Sequence, residues 1–195
     1  MNSYTYKAYA VSNGTSSNSG CGKVQVTGGS SGASSSATSS STVTFTATKT
    51  ANDSFYQFLG WYDSASGGNL ITTDTTFTKS GTNYTAYARF VRRVYFTNNK
   101  SWNGPYCYAW VNGSSATWPG TQMTYSHTNT QNENVYYIDI DPSINRLIFN
   151  NGDNGGSQTV DITIPLSTSS TGNNAYYISG GSGKSFTVGS WRYNP

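Results

Sequence analysis

The sequence predicts an all-β protein, a small all-β spacer domain followed by a β-sandwich. Three observations predict it. The 195 residues are poor in charge (10%) and rich in aromatics (15%), with sixteen Tyr, eight Phe and five Trp. Thr, Val and Tyr together far outnumber Leu and Ala, which favours strands over helices. Short alternating segments recur along the chain, each bounded by Gly, Asn, Asp or Ser, as strands of a sandwich are. Disordered chains are also rich in Ser and Gly, but they lack this aromatic and β-branched content.

The first domain is expected over residues 1–92. YTYKAYAV alternates and predicts an opening strand. SNGTSSNSGCG reads as a turn-rich loop, and KVQVTG as a short strand. GGSSGASSSATSSS reads as a flexible Ser/Gly loop. In TVTFTATKT, Val43, Phe45 and Ala47 alternate with threonines, the pattern of a half-buried strand. FYQFLGWYD, NLITTDTTFTKSG and TNYTAYARF complete the unit, which reads as sandwich-like or grasp-like. The domain boundary is placed near Val91-Arg92-Arg93.

The second domain is expected over residues 93–195. VYFTN, PYCYAWVNG, NVYYIDI, NRLIFNNG, SQTVDITI, NAYYISG and KSFTVGSWRY predict about seven strands and no helix. Asn112-Gly113 and Trp118-Pro119-Gly120 read as turns.

Several functions are disfavoured. The net charge of +3 is spread thinly, with no basic run longer than Arg92-Arg93. Nucleic-acid binders concentrate such charge on one face, so nucleic acid is not expected as a partner. No apolar stretch has the length of a membrane span, and no membrane partner is expected. MNSYTYKAYA lacks the apolar segment of a signal peptide, so the sequence reads as a piece of a longer exported protein. Cys21 and Cys107 fall in different halves, and a disulfide between them is not expected.

The chain is not expected to be an enzyme. Glycoside hydrolysis needs two carboxyl groups flanking the scissile bond. The chain has eight acidic residues, and Glu133 is the one Glu among them. Asp139 and Asp141 stand two apart, but Asp141-Pro142 reads better as the start of a turn. His127 falls in a polar stretch without a nucleophile motif. No cofactor is implied and no metal is assigned. Asn150, Asp153 and Asn154 offer oxygen ligands of the kind Ca²⁺ takes, but their spacing matches no calcium-loop motif.

The segment Pro105-Tyr-Cys-Tyr-Ala-Trp-Val111 carries the functional argument. Side chains on a strand alternate between faces. Tyr106, Tyr108 and Trp110 therefore share one face, and the small apolar Cys107, Ala109 and Val111 share the other. Tyr and Trp join a flat apolar body to a polar tip. That combination suits a pyranose ring, which has an apolar C–H face and a rim of hydroxyls. Trp118, in the following turn, is placed to extend such a platform into a cradle. Aromatics on a strand also build cores, and the residues alone leave that alternative open.

Two resemblances add to this reading. VTFTAT (Val43 to Thr48), FLGWYD (Phe58 to Asp63) and TAYARF (Thr85 to Phe90) resemble the divergent internalin-type B-repeat, a bacterial Ig-like surface domain. That resemblance implies a spacer or adhesion module with Trp61 in its core. VYFTN, Trp102, YCYAW, WPGTQM, VYYIDI, RLIFNNGDNGGSQT and WRY occur in the order seen in carbohydrate-binding module family 26, which the second half resembles. This implies a starch-binding β-sandwich in which Tyr106, Tyr108 and Trp118 stack on consecutive glucose rings, with Trp110 at the core edge and Trp102 packing structurally. Gln158 is the candidate for a hydrogen bond to a sugar hydroxyl; Lys100 and Asn151 read as solvated. The implied partners are starch, amylose, amylopectin and malto-oligosaccharides. The implied setting is secreted or cell-surface, as a monomeric module of an amylase or a starch-adherence protein.

Overall fold

The computed structural model describes residues 2–12, 21–28, 34–49, 56–153, 156–164 and 173–191. They form an all-β protein that divides into two compact units, Met1–Arg92 and Arg93–Pro195.

In the first unit the strands are β1 (Tyr4–Ser12), β2 (Gly22–Thr27), β3 (Ser36–Ser39), β4 (Val43–Lys49), β5 (Tyr56–Tyr62), β6 (Leu70–Thr72), β7 (Thr76–Lys79) and the first part of β8 (Tyr84–Thr97). One sheet runs β3-β1-β8-β5-β6 and the other β2-β4-β7. β1 and β8 pair in parallel, with Ala8 opposite Ala86 and Ala10 opposite Ala88. The alternation on β4 turns Val43, Phe45 and Ala47 inward, and Thr44, Thr46 and Thr48 away. Phe45 stacks on Phe77 at 4.7 Å and meets Trp61 edge-on at 5.9 Å. Trp61 is fully buried, as its core reading expects.

The Ser/Gly stretch departs from the expected loop. Ser36–Ser39 forms β3, antiparallel to β1, and turns Ala37 and Ser39 inward. Backbone pairing to β1 supplies what four small side chains cannot signal. Much of the predicted loop SNGTSSNSGCG lies outside the described residues, as do the last two residues of the closing WRY motif.

In the second unit the end of β8 is followed by β9 (Tyr106–Trp110), β10 (Thr121–Gln122), β11 (Thr124–Thr128), β12 (Asn134–Ile140), β13 (Arg146–Asn150), β14 (Ile162–Thr163), β15 (Ala175–Gly180) and β16 (Thr187–Trp191). One sheet runs β11-β12-β8-β15-β16 and the other β10-β9-β13-β14. Between them Phe96 stacks on Phe149 at 4.5 Å, and Phe149 meets Tyr176 at 5.8 Å. Val94, Cys107, Leu147, Ile162 and Ile178 are among the other buried side chains of this core. The expected β-sandwich is present, with two more short strands than the alternation reveals. One of them, β11, contains His127, for which the sequence suggests a loop. It is an edge strand with four of five side chains exposed, so it carries no apolar rhythm.

Cys21 and Cys107 are both buried, and no disulfide joins them. Cys107 is 1% exposed, and burial pushes its thiol pKa well above the usual range. A disulfide-exchange reagent needs the thiolate. Cys107 is therefore expected to stay unlabelled in the native chain and to react once denaturant opens the second unit, as read by mass spectrometry. Rapid native labelling would mean that β9 detaches from β13.

Candidate functional site

β9 is positioned by its inner face. Cys107 pairs with Phe149, and Ala109 with Leu147, all directed into the sandwich. Period two then places Tyr106, Tyr108 and Trp110 on the outer face, each half-buried. Trp110 stands on the same face as the tyrosines, as the alternation requires. Its ring centroid lies 4.9 Å from that of Tyr108.

The loop after β9 folds back over this outer face. It brings Trp118 to 5.4 Å from Tyr108, with the two ring planes inclined at 50°. Tyr108 is thus the centre of a three-ring arc, Trp110–Tyr108–Trp118. Its hydroxyl donates to the Ala116 carbonyl at 3.3 Å and accepts from the Ala116 N–H at 3.4 Å, tying the loop to the strand.

The Trp118-Pro119 peptide is cis. Gly120 follows with φ of +92°, a conformation L side chains rarely adopt. A Cβ there would sit 2.2 Å from the Cys107 carbonyl oxygen and 2.6 Å from the Tyr108 Cα. The backbone of the Trp-Pro-Gly turn therefore approaches β9 as closely as only glycine permits.

Asn150 anchors the same turn from the neighbouring strand. It is fully buried on the outer face of β13, opposite Tyr106. Its amide nitrogen donates to the Pro119 carbonyl at 2.9 Å, and its oxygen accepts from the Gly152 N–H at 2.8 Å. A buried amide must be paired, and this one joins two loops that flank the aromatic arc. The sequence suggests Asn150 only as an oxygen ligand. Its parity opposite Leu147 and Phe149, with Tyr106 across the ladder, is the signal that marks it as part of the platform.

Tyr106 lies at the other end. Gly152, with φ of +83°, packs against one edge of its ring, where a Cβ would come within 2.7 Å. Gln122 pairs with Tyr106 on one side, Asn150 on the other, and Gln158 bridges to Asn150. A single cross-strand row thus reads Gln122, Tyr106, Asn150, Gln158. Gln158 is half-buried, and its backbone bonds to Gly183 and Phe186. Gln122 is exposed; it lies within the WPGTQM motif, which by itself points only to Trp118 and its turn.

The remaining candidates sit elsewhere. Trp102 stacks on Phe96 at 5.6 Å and is held by the Asn98 side chain, which bonds both its N–H and its carbonyl. Lys100 lies over the Phe186 ring, and Asn151 bonds to Asp153. Asn154 lies outside the described residues, so the oxygen cluster around Asp153 is not complete among them. Asp139 is engaged by Arg93 through two bonds of 2.7 and 2.6 Å, while Asp141 accepts from Ser143 in a turn. These two carboxylates therefore have separate structural partners.

A family model described as starch-binding module 26 matches residues 94–164. The match runs from the end of β8 through β14 and includes Tyr106, Tyr108, Trp118, Asn150 and Gln158. No curated protein and no solved structure matches the chain. The second unit therefore contains a span similar to a starch-binding module.

Proposed function

We propose that residues 93–195 bind starch-type α-glucan without catalysis, by stacking glucose rings on Tyr106, Tyr108 and Trp118. The observation that carries this reading is the 50° cant between Trp118 and Tyr108, within a span that matches a starch-binding family. An α-1,4-linked chain curves, and its successive rings meet a canted pair of aromatics better than a coplanar row. A flat β-1,4 chain fits the coplanar row instead. Gln158, in one row with Tyr106, supplies a hydrogen bond at the rim. Amylose, amylopectin and malto-oligosaccharides are the partners of this reading. The chain is a monomeric module that attaches a secreted amylase or starch-adherence protein to its substrate, and residues 1–92 act as its spacer.

A shallow arc makes few contacts, so a Kd of about 10⁻⁵ to 10⁻³ M is expected. Isothermal titration with maltoheptaose is expected to show saturable heat, and cellohexaose none. Trp118→Ala is expected to weaken maltoheptaose binding about ten-fold or more, a loss of about 1.4 kcal/mol. The absence of heat from the unaltered chain at millimolar sugar would overturn the reading and favour a spacer or adhesion role for both units.

A further inference from the structure

The second unit has another aromatic surface, on its other sheet. Along β15, Tyr176 and Ile178 face the core, which turns Tyr177 outward. Tyr177 pairs with Gly189 on β16, where a Cβ would lie 2.2 Å from the tyrosine Cζ. The Tyr177 ring therefore lies over the glycine, close to the sheet. Beside it stands Trp191, 38% exposed, with ring centroids 4.8 Å apart and planes inclined at 32°.

These rings line a cleft of about 680 Å³. That falls within the range of about 300–1,000 Å³ found for small-molecule sites. Its opposite wall is polar and includes His127, Asn129, Gln131 and Glu133 from β11 and the turn after it. The turn is held by its own bonds. Asn129 accepts from the N–H groups of Gln131 and Glu133, and donates to one oxygen of the Glu133 carboxylate. The other carboxylate oxygen, the Gln131 amide nitrogen and the Tyr177 hydroxyl have no hydrogen-bond partner among the described residues.

Aromatic faces on one wall and amide and carboxylate groups on the other match the two sides of a sugar ring. A carboxylate facing hydroxyl donors makes strong, charge-assisted bonds. Among the described residues no Lys or Arg lines the cleft, and Glu133 brings a carboxylate to it, which disfavours an anionic ligand. We infer that this cleft is a second saccharide site for a short neutral oligosaccharide, stacked on Tyr177 and Trp191. Its assignment to α-glucan rests on the function proposed above. The cleft and the Tyr108 arc occupy the outer faces of the two opposed sheets. Two such sites let one module hold two glucan strands, or two turns of one, and raise attachment to a granule above either site alone.

The test is titration of the full chain with maltoheptaose, comparing the unaltered chain, Trp118→Ala, Trp191→Ala and the double variant. Two sites are expected in the unaltered chain and one in each single variant, with none in the double. Binding retained at the platform shows that Trp191→Ala is folded. Gln131→Ala, an exposed change, is expected to weaken only the site that survives in Trp118→Ala, by about three-fold for one lost hydrogen bond. If Trp118→Ala alone abolishes all heat, the second site is overturned while the platform stands. If Trp118→Ala changes nothing and Trp191→Ala abolishes binding, the cleft stands and the platform assignment falls. If no chain binds, both fall.

Discussion

Trp61→Ala is expected to destabilise the first unit by about 3–5 kcal/mol, the usual cost of truncating a large buried aromatic. The side chain is fully buried and stands at the hub of an aromatic cluster. Its ring meets Phe45 at 5.9 Å, Phe58 at 6.3 Å and Phe77 at 5.3 Å, each near-perpendicular. Those three come from β4, β5 and β7, so the indole is the wedge between the unit's two sheets. Native domains are stable by only about 5–15 kcal/mol, and this single change removes a large share of that. Urea denaturation followed by far-ultraviolet circular dichroism reads the loss, and hydrogen exchange on β4 and β8 localises it. Trp61→Phe keeps a ring in the site and is expected to cost less. A loss below about 1 kcal/mol for the alanine variant would mean that Phe45 and Phe77 close the space, contrary to the incomplete collapse seen in most cores.

That a residue such as Trp61 can be placed in a core from sequence has a simple cause. Strand alternation is local, and a buried face needs apolar residues at every second position, so β4 and β9 are both legible. The fold class follows from many such segments. What escapes is structure held by backbone pairing or lying at an edge. β3 has one apolar residue in four, and β11 exposes most of its side chains. Neither has an apolar rhythm in its sequence to read. At the site, alternation places three aromatics of β9 on one face, and the Trp-Pro-Gly motif marks the turn. The anchor of that turn is not legible as such, because Asn150 acts across 31 residues of chain on a main-chain carbonyl. A contact to backbone leaves no complementary residue type in the sequence. The Tyr108 hydroxyl bonding to Ala116 is hidden in the same way.

Tyr108→Ala is expected to reduce maltoheptaose binding at the platform by about thirty-fold or more, the loss of about 2 kcal/mol that marks a hot spot. Tyr108 touches both neighbouring rings of the arc and also ties down the loop that carries Trp118. Its removal deletes the central ring of the arc and frees the loop that holds Trp118. Tyr108→Phe separates these effects, because the ring remains while both bonds to Ala116 go. With a net worth of about 0.5–1.5 kcal/mol for a typical hydrogen bond, the phenylalanine variant is expected to bind only a few-fold more weakly. Asn150→Ala acts on the turn from the other side, since it unpairs the half-buried Pro119 carbonyl and the Gly152 N–H without altering any ring. It is expected to weaken binding as well, and to lower the stability of the second unit by about 1–3 kcal/mol. If Tyr108→Phe binds as poorly as Tyr108→Ala, the placement of Trp118 governs the affinity and the ring of Tyr108 contributes little. If Asn150→Ala leaves binding unchanged, the turn is held by Gly120 and the tyrosine hydroxyl alone. The cant between the two rings is then a property of β9 and its own loop, and the neighbouring strand has no part in it.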